Sequence, residues 1–248
     1  MSGPASSATS SRRRALLLDF DGTLADTLPG LRAVYGAFLA SIDACDKAPG
    51  FADVNGANLF DLIRELCAAH APHLDAGSTW HRYWSEVELA VRNAAPAEGA
   101  HQIIAWARQQ GWLVGIGSAS RTGLIGDWLA QHGLAAAIDC VVGADLCDRG
   151  KPDPAIYQLL LARLGVETAD CLVVEDSASG VAAAKAAGLE VIRLLPGRAA
   201  ESAIAAGQEV APPNEVGSLR EVGSLREVAS LRAALDYLQK RFEPTRNS

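Results

Sequence analysis

The chain has 248 residues, 49% of them hydrophobic and 21% charged, with a net charge of −7. Those proportions fit a globular chain with a core of good size, not a disordered or fibrous one. The acidic balance argues against a nucleic-acid-binding surface but leaves room for an anionic ligand at a locally positive site.

The chain opens MSGPASSATSSRRR. The apolar stretch behind it is short and ends at Asp19 without a small-residue cleavage site. Residues 1–13 are therefore expected to be a flexible tail and not a secretory leader. No apolar run approaches the length needed to cross a bilayer, so no membrane partner is expected.

Short apolar runs at residues 15–20, 112–117, 138–142, 171–174 and 190–195 read as buried strands. Helical patterns lie between most of them, around residues 102–107, 124–131, 154–164 and 177–187. Pro154 stands in the first turn of one, and Gly165 and Gly188 follow two of them. Strands that are apolar on both faces and alternate with helices predict an α/β fold with a doubly wound parallel sheet, covered on both sides.

Residues 29–96 break this rhythm. Segments 31–42, 59–69 and 79–93 carry helical spacing and no strand pattern, which predicts a small all-helical domain inserted after the first strand. Residues 14–28 and 97–212 would then form the core. Trp80, Tyr83 and Trp84 lie at near-helical spacing and are read as core of the insert.

The C-terminal part, residues 213–248, contains EVGSLR, EVGSLR and EVASLR in tandem. Six residues are far fewer than the ~20 of a true solenoid unit. The repeat is read as a duplicated helix start with no function of its own, flowing into a helix faced by Leu231, Leu235 and Leu238.

Cysteines and histidines offer little. Cys45, Cys67, Cys140, Cys147 and Cys171 are odd in number, widely spaced and free of a C-x-x-C pattern, which reads as reduced thiols in a cytoplasmic protein. His70 and His73 form HAPH, where Pro72 spoils a helical ligand pair.

The strand ends carry the chemistry. Sites in parallel sheets form beyond the carboxyl ends of the strands. There the sequence places Asp19-Phe20-Asp21-Gly22-Thr23, Gly117-Ser118-Ala119-Ser120, Gly150-Lys151-Pro152-Asp153-Pro154 and Glu175-Asp176-Ser177. Carboxylates brought together this way repel one another unless a cation sits among them, and hard oxygen ligands select Mg²⁺.

The ordered set DFDGTLADT, GSAS, KPDP and VVEDSASG resembles the haloacid dehalogenase superfamily of phosphohydrolases, and the likeness extends over residues 16–195. The helical insert resembles the cap of its phosphoglycolate-phosphatase and β-phosphoglucomutase branch. The resemblance implies that Asp19 is a Mg²⁺-bound nucleophile forming an aspartyl-phosphate, and that Asp21 is the general acid and then base, meeting the metal through its backbone carbonyl. It implies that Ser118 and the Ala119 N–H hold phosphoryl oxygens, that Lys151 pairs with Asp19 and the phosphate, and that Asp176 and Glu175 complete the metal shell. Asn55 and Asn58 in the cap loop are candidate substrate contacts, with packing or capping of the next helix accounting for Asn58 equally well, and Arg121 is a candidate contact whose other reading is a solvated side chain.

The expected substrate is a small phosphorylated metabolite, phosphoglycolate or a sugar phosphate, acted on by a monomer or homodimer. A β-phosphoglucomutase-like mutase is the second reading. VVEDS and GSASRTG favour it. The loop VNGAN lacks the mutase arginine, and Leu31 stands where the mutase histidine would fall. No cap lysine suits a phosphonatase, and a halide-releasing dehalogenase would need no Mg²⁺ shell. A reading of another class is a silent regulator that binds a partner through the C-terminal repeat.

Overall fold

A computed structural model describes residues 13–54, 59–195, 220–222 and 225–243. The first strand, β1 (Ala15–Leu18), is buried along its whole length. Its side chains alternate between two cores. Leu16 and Leu18 join the cluster on one face, and Ala15 and Leu17 join the cluster on the other. An unbroken apolar run is what a strand covered on both faces requires.

Four more strands, β2 (Leu113–Gly117), β3 (Cys140–Val142), β4 (Cys171–Glu175) and β5 (Glu190–Leu194), run parallel to β1. Two further strands, β6 (Arg220–Val222) and β7 (Leu225–Val228), complete a sheet ordered β3-β2-β1-β4-β5-β7-β6. Six strands are parallel, and β6 alone pairs antiparallel, to β7. Neighbouring strands depart from β1 in opposite directions, so a crevice opens beyond its carboxyl end. The register sets Leu18 beside Ile116 on one side and Val174 on the other.

Between β1 and β2 the chain forms α1 (Leu28–Ser41), α2 (Phe51–Val54), α3 (Phe60–His70) and α4 (Ala76–Arg92), with no strand among the described residues of this stretch. Apolar stripes at helical spacing make these helices pack together. Tyr35, Phe38 and Leu39 of α1, Ile63 and Leu66 of α3, and Tyr83, Val87 and Val91 of α4 are all buried. Asp75 caps α4, its carboxylate accepting from the Ser78 amide at 2.8 Å, a bond that holds the acid below its ordinary range. The chain leaves and re-enters the sheet side by side. The Asp26 N–H donates to the Ala95 carbonyl and the Ala97 N–H to the Leu24 carbonyl, each at 2.9 Å.

The helices after the insert are α5 (Ala100–Gln109), α6 (Thr122–Gln131), α7 (Ala155–Leu164) and α8 (Ala178–Ala186). They divide between the two faces. Ile103, Ile104 and Trp128 of α5 and α6 join the core of Leu16. Ile156, Leu160 and Val181 of α7 and α8 join that of Leu17. Gly117 lets α7 close on the sheet, because a Cβ there would stand 2.8 Å from Ile156 and 2.9 Å from Leu160.

The repeat departs from its expected form. Residues 220–222 and 225–228 form a hairpin of strands and not a helix start. Leu194 pairs with Val228 and Arg193 with Glu227, so β7 supplies hydrogen-bonding partners for the edge of β5. Arg226 pairs with Glu190, and Val228 is buried. The pairing partner of β7 lies some thirty residues away in sequence, where local spacing cannot reveal it. Only Ser230 begins a helix. It caps α9 (Leu231–Phe242), which buries Leu231, Leu235 and Leu238 as expected. The remainder of the repeat lies outside the described residues, as do residues 1–12 of the expected tail.

Candidate active site

Register brings the first and fourth strand ends together. The Asp19 N–H donates to the Val174 carbonyl at 2.9 Å, which carries the β1–β4 pairing one residue further and sets Asp19 beside Glu175 and Asp176. The turn after Asp19 is tight, with the Leu24 and Ala25 amides both reaching the Phe20 carbonyl at 2.9 Å. Gly22 adopts φ +81°, and a Cβ there would lie 2.5 Å from the Asp176 carboxylate. Only glycine allows both the conformation and the approach. Thr23 donates to Asp176 Oδ1 at 3.3 Å.

Lys151 enters from the loop after β3. Its Nζ donates to Asp19 Oδ1 at 2.5 Å and to Glu175 Oε1 at 2.6 Å, and it stands 5.4 Å from the centre of the Tyr157 ring. Glu175 Oε2 accepts from the Ser177 amide at 2.7 Å and its hydroxyl at 3.0 Å. Both Glu175 oxygens are thus engaged. A Cβ at Gly180 would sit 1.4 Å from Glu175 Oε1, so α8 can lie over this carboxylate only with glycine there.

The end of β2 supports Asp21. Its Oδ2 accepts from the Ser120 hydroxyl at 2.7 Å and the Ser118 hydroxyl at 3.1 Å. Ser118 also accepts from the Ser120 amide at 2.9 Å. Asp21 Oδ1 is buried and makes no close hydrogen bond, though the nearby Thr27 hydroxyl also favours the charged carboxylate.

The electrostatics follow from burial. Asp19 is pushed well above the usual carboxylate range by burial, which the Lys151 ammonium opposes and the Glu175, Asp176 and Asp21 carboxylates reinforce. Asp176 is raised to about 7 by burial and then by Glu175. Burial also raises Asp21, against the hydroxyls of Ser120 and Ser118 that bond its charged form. Burial alone would depress Lys151, but Asp19, then Tyr157 and Glu175, carry it well above its ordinary value and hold it charged.

One ammonium does not balance this set. Oxygen atoms of Asp19, Glu175 and Asp176 lie within 4.8 Å of one another, and Asp21 is adjacent. Hard carboxylate oxygens at that spacing fit a divalent cation such as Mg²⁺.

A cavity of about 710 Å³ opens above the cluster, walled by Asp19, Asp21, Ser120, Arg121, Lys151 and Asp176 among others, with Ala119 beside them. Ser118 and Glu175 stand just behind this wall, Ser118 turned to Asp21 and Glu175 to Lys151. Arg121 is exposed at the rim, its guanidinium 5.7 Å from the centre of the Trp84 ring. Asn55 and Asn58 lie outside the described residues.

Sequence reasoning gave little weight to Ser120, Thr23 and Ser177. The signal for Ser120 was its place in GSAS two residues after Ser118, in the turn that follows β2. Trp80, Tyr83 and Trp84 belong to the insert's core as expected, Tyr83 buried in it and Trp80 and Trp84 packed against it, and all three also wall the cavity. Helical spacing shows that they share a face and is silent on what that face meets.

The family model for haloacid dehalogenase-like hydrolase matches residues 13–188. A phosphoglycolate phosphatase of Rhodospirillum rubrum is 33% identical over 207 residues, covering 78% of this chain and 84% of the relative. The fructose-1-phosphate phosphatase YqaB of Escherichia coli is 29% identical over 187 residues, covering 73% of this chain and 96% of the relative. The crystal structure of a putative beta-phosphoglucomutase from Thermotoga maritima shares the fold, with a TM-score of 0.63 at 21% identity, over 92% of this chain and 99% of that one. The match along most of its length, together with the strand-end cluster, makes this chain a member of the haloacid dehalogenase-like hydrolases.

Proposed function

We propose that the protein is a Mg²⁺-dependent phosphatase acting on a phosphomonoester of a small metabolite through an aspartyl-phosphate on Asp19. The observation that carries this reading is the Lys151 ammonium held between Asp19 and Glu175, with Asp176 and Asp21 alongside.

Asp19 attacks phosphorus, and the ester oxygen leaves with the proton of Asp21. Asp21 suits that part, since burial favours its protonated form while two hydroxyls fix its orientation. It then takes a proton from the water that opens the aspartyl-phosphate. Lys151 offsets charge on the transferred group. The Ala119 N–H holds a phosphoryl oxygen, and Ser118 would hold another by turning its single O–H from Asp21, which keeps the Ser120 hydroxyl. Asp19 and Asp176 would hold the cation, Asp21 would add its backbone carbonyl, and Glu175, whose oxygens each keep a further lone pair beside their present hydrogen bonds, would complete the shell while anchoring Lys151. When bound, Mg²⁺ supplies charge neutralisation at the phosphoryl oxygens.

Residues 29–96 act as a cap that excludes water during transfer, and Arg121, Asn55 and Asn58 contact the substrate. Relatives named phosphoglycolate phosphatase and fructose-1-phosphate phosphatase support a small phosphorylated substrate. Reduced cysteines support a cytoplasmic setting, and among the described residues no helix is long and apolar enough to cross a membrane.

The fold shared with a putative beta-phosphoglucomutase keeps a mutase as the second reading. Leu31 on the cavity wall, where the mutase histidine would fall, favours hydrolysis. The test is a phosphomonoester panel with Mg²⁺, including β-glucose 1-phosphate, on wild type and Asp19→Asn. Free phosphate from wild type, and none from a folded Asp19→Asn, is the expected result. Isomer formed without phosphate release would replace this reading with the mutase.

A further inference from the structure

The cavity has two unlike walls. Carboxylates and Lys151 form its floor, while the helical insert contributes Leu31, Phe51, Leu59, Trp80, Trp84 and Val87. The indoles are already ordered. Trp80 stacks on Trp84 with ring centres 5.6 Å apart and planes 25° from parallel, and the edge of Phe60 closes on Trp80 at 5.3 Å. Trp84 Nε1 donates to Glu88 Oε1 at 3.0 Å, so that polar atom is already partnered. The Arg121 guanidinium braces the same ring.

Ser120, Arg121, Asp145 and Asp148 also line the cavity and can meet polar groups, but hydroxyls buried against the insert's described apolar side chains would go unpaired, which opposes binding. An apolar ring meets no such cost, and stacking on preordered indoles loses little conformational freedom. The volume of about 710 Å³ has room for a ring-bearing ligand. A ring bonded directly to the ester oxygen would be pressed against the carboxylate floor, where charge repels the ring face. A short arm removes that conflict.

We infer that the preferred leaving group is an aromatic or heteroaromatic ring carrying its phosphate on a primary-alcohol arm, with the ring packed against Trp80 and Trp84. The inference rests on the phosphatase reading above. The P–O ester bond breaks as the Asp19–phosphorus bond forms, and the arm's oxygen takes the Asp21 proton. Water then attacks phosphorus, returns a proton to Asp21 and releases phosphate, so the products are an arylmethanol and inorganic phosphate.

The experiment compares kcat/KM, with Mg²⁺, for benzyl phosphate, glucose 6-phosphate and phosphoglycolate. All three leave from a saturated carbon, so aryl-oxide reactivity does not bias the ranking. Benzyl phosphate should exceed each of the others by at least about tenfold. Trp80→Ala and Trp84→Ala should each erase most of that preference, chiefly through KM, and Trp84→Phe should restore much of it. Turnover of the sugar or acid ester at or above the benzyl rate would overturn the inference and leave the phosphatase standing. An unchanged preference in folded alanine variants would overturn it too, since the ring would then lie elsewhere. If none of the three esters nor any in a wider panel is hydrolysed, the phosphatase reading itself fails and takes this inference with it.

Discussion

Lys151 Nζ and Asp19 Oδ1 stand 2.5 Å apart at the carboxyl edge of the sheet, although 132 residues separate them in the chain. Both side chains are buried, and the same ammonium also holds Glu175 at 2.6 Å. A buried cation shared by two acids is difficult to remove, because each acid loses its counter-charge at once.

Lys151→Met should therefore cost about 3–5 kcal/mol of stability at pH 8, read as a lowered urea midpoint with an unchanged slope. Phosphatase turnover should fall by at least about 10²-fold, as expected when a group stabilising transition-state charge is lost.

Gly180→Ala sets two effects against each other. Helix propensity favours alanine by about 1 kcal/mol. The new Cβ would lie 1.4 Å from Glu175 Oε1, so the carboxylate must leave its place under Lys151. The clash should win, with a net loss of about 1–3 kcal/mol by thermal or urea unfolding and a matching loss of turnover.

Ser120→Ala removes the shorter of the two hydroxyl bonds to Asp21. That bond favours the ionised acid, so its loss should raise the Asp21 pKa further. The limb of the pH–rate profile that belongs to Asp21 should move to higher pH, and kcat should fall with little change in the folded circular-dichroism spectrum.

Stability without divalent cations should fall as pH rises. Asp176 has its folded-state pKa raised to about 7 from an ordinary 3.8, and Asp19 is raised as well. Between those limits the folded chain holds more protons than the unfolded chain, so unfolding becomes easier with increasing pH. Melting in EDTA should show a lower Tm at pH 8 than at pH 5. Added Mg²⁺ should raise Tm more at pH 8, where the acids are ionised without competition from protons.

Leu238→Ala tests whether the C-terminal helix belongs to the core. Leu238 is fully buried and packs in the same cluster as Leu16 and Trp106. The substitution should cost about 2–5 kcal/mol in urea unfolding, where a loosely attached helix would lose almost nothing.

The strands and helices of the parallel sheet, and the acids and lysine at their ends, could be read from the chain alone, because each depends on local features. β1 needs only its unbroken run ALLL, α7 its flanking Pro154 and Gly165, and the site candidates their position just past a strand. The helical nature of the insert was equally legible from its spacing. Partnership was not. Residues 220–228 become strands because β5 has an edge to pair, and that edge exists only once the sheet is assembled. Trp80 and Trp84 share a helical face in sequence, yet that they meet the cavity depends on how α4 sits above β1. Gly180 looks like an ordinary weak point in a helix until Glu175 is found beneath it. The meeting of Asp19, Glu175 and Asp176 rests on strand register, which sets Leu18 beside Val174 and so carries acids far apart in the chain to one cation-sized space, and the loop after β3 brings Lys151 to them.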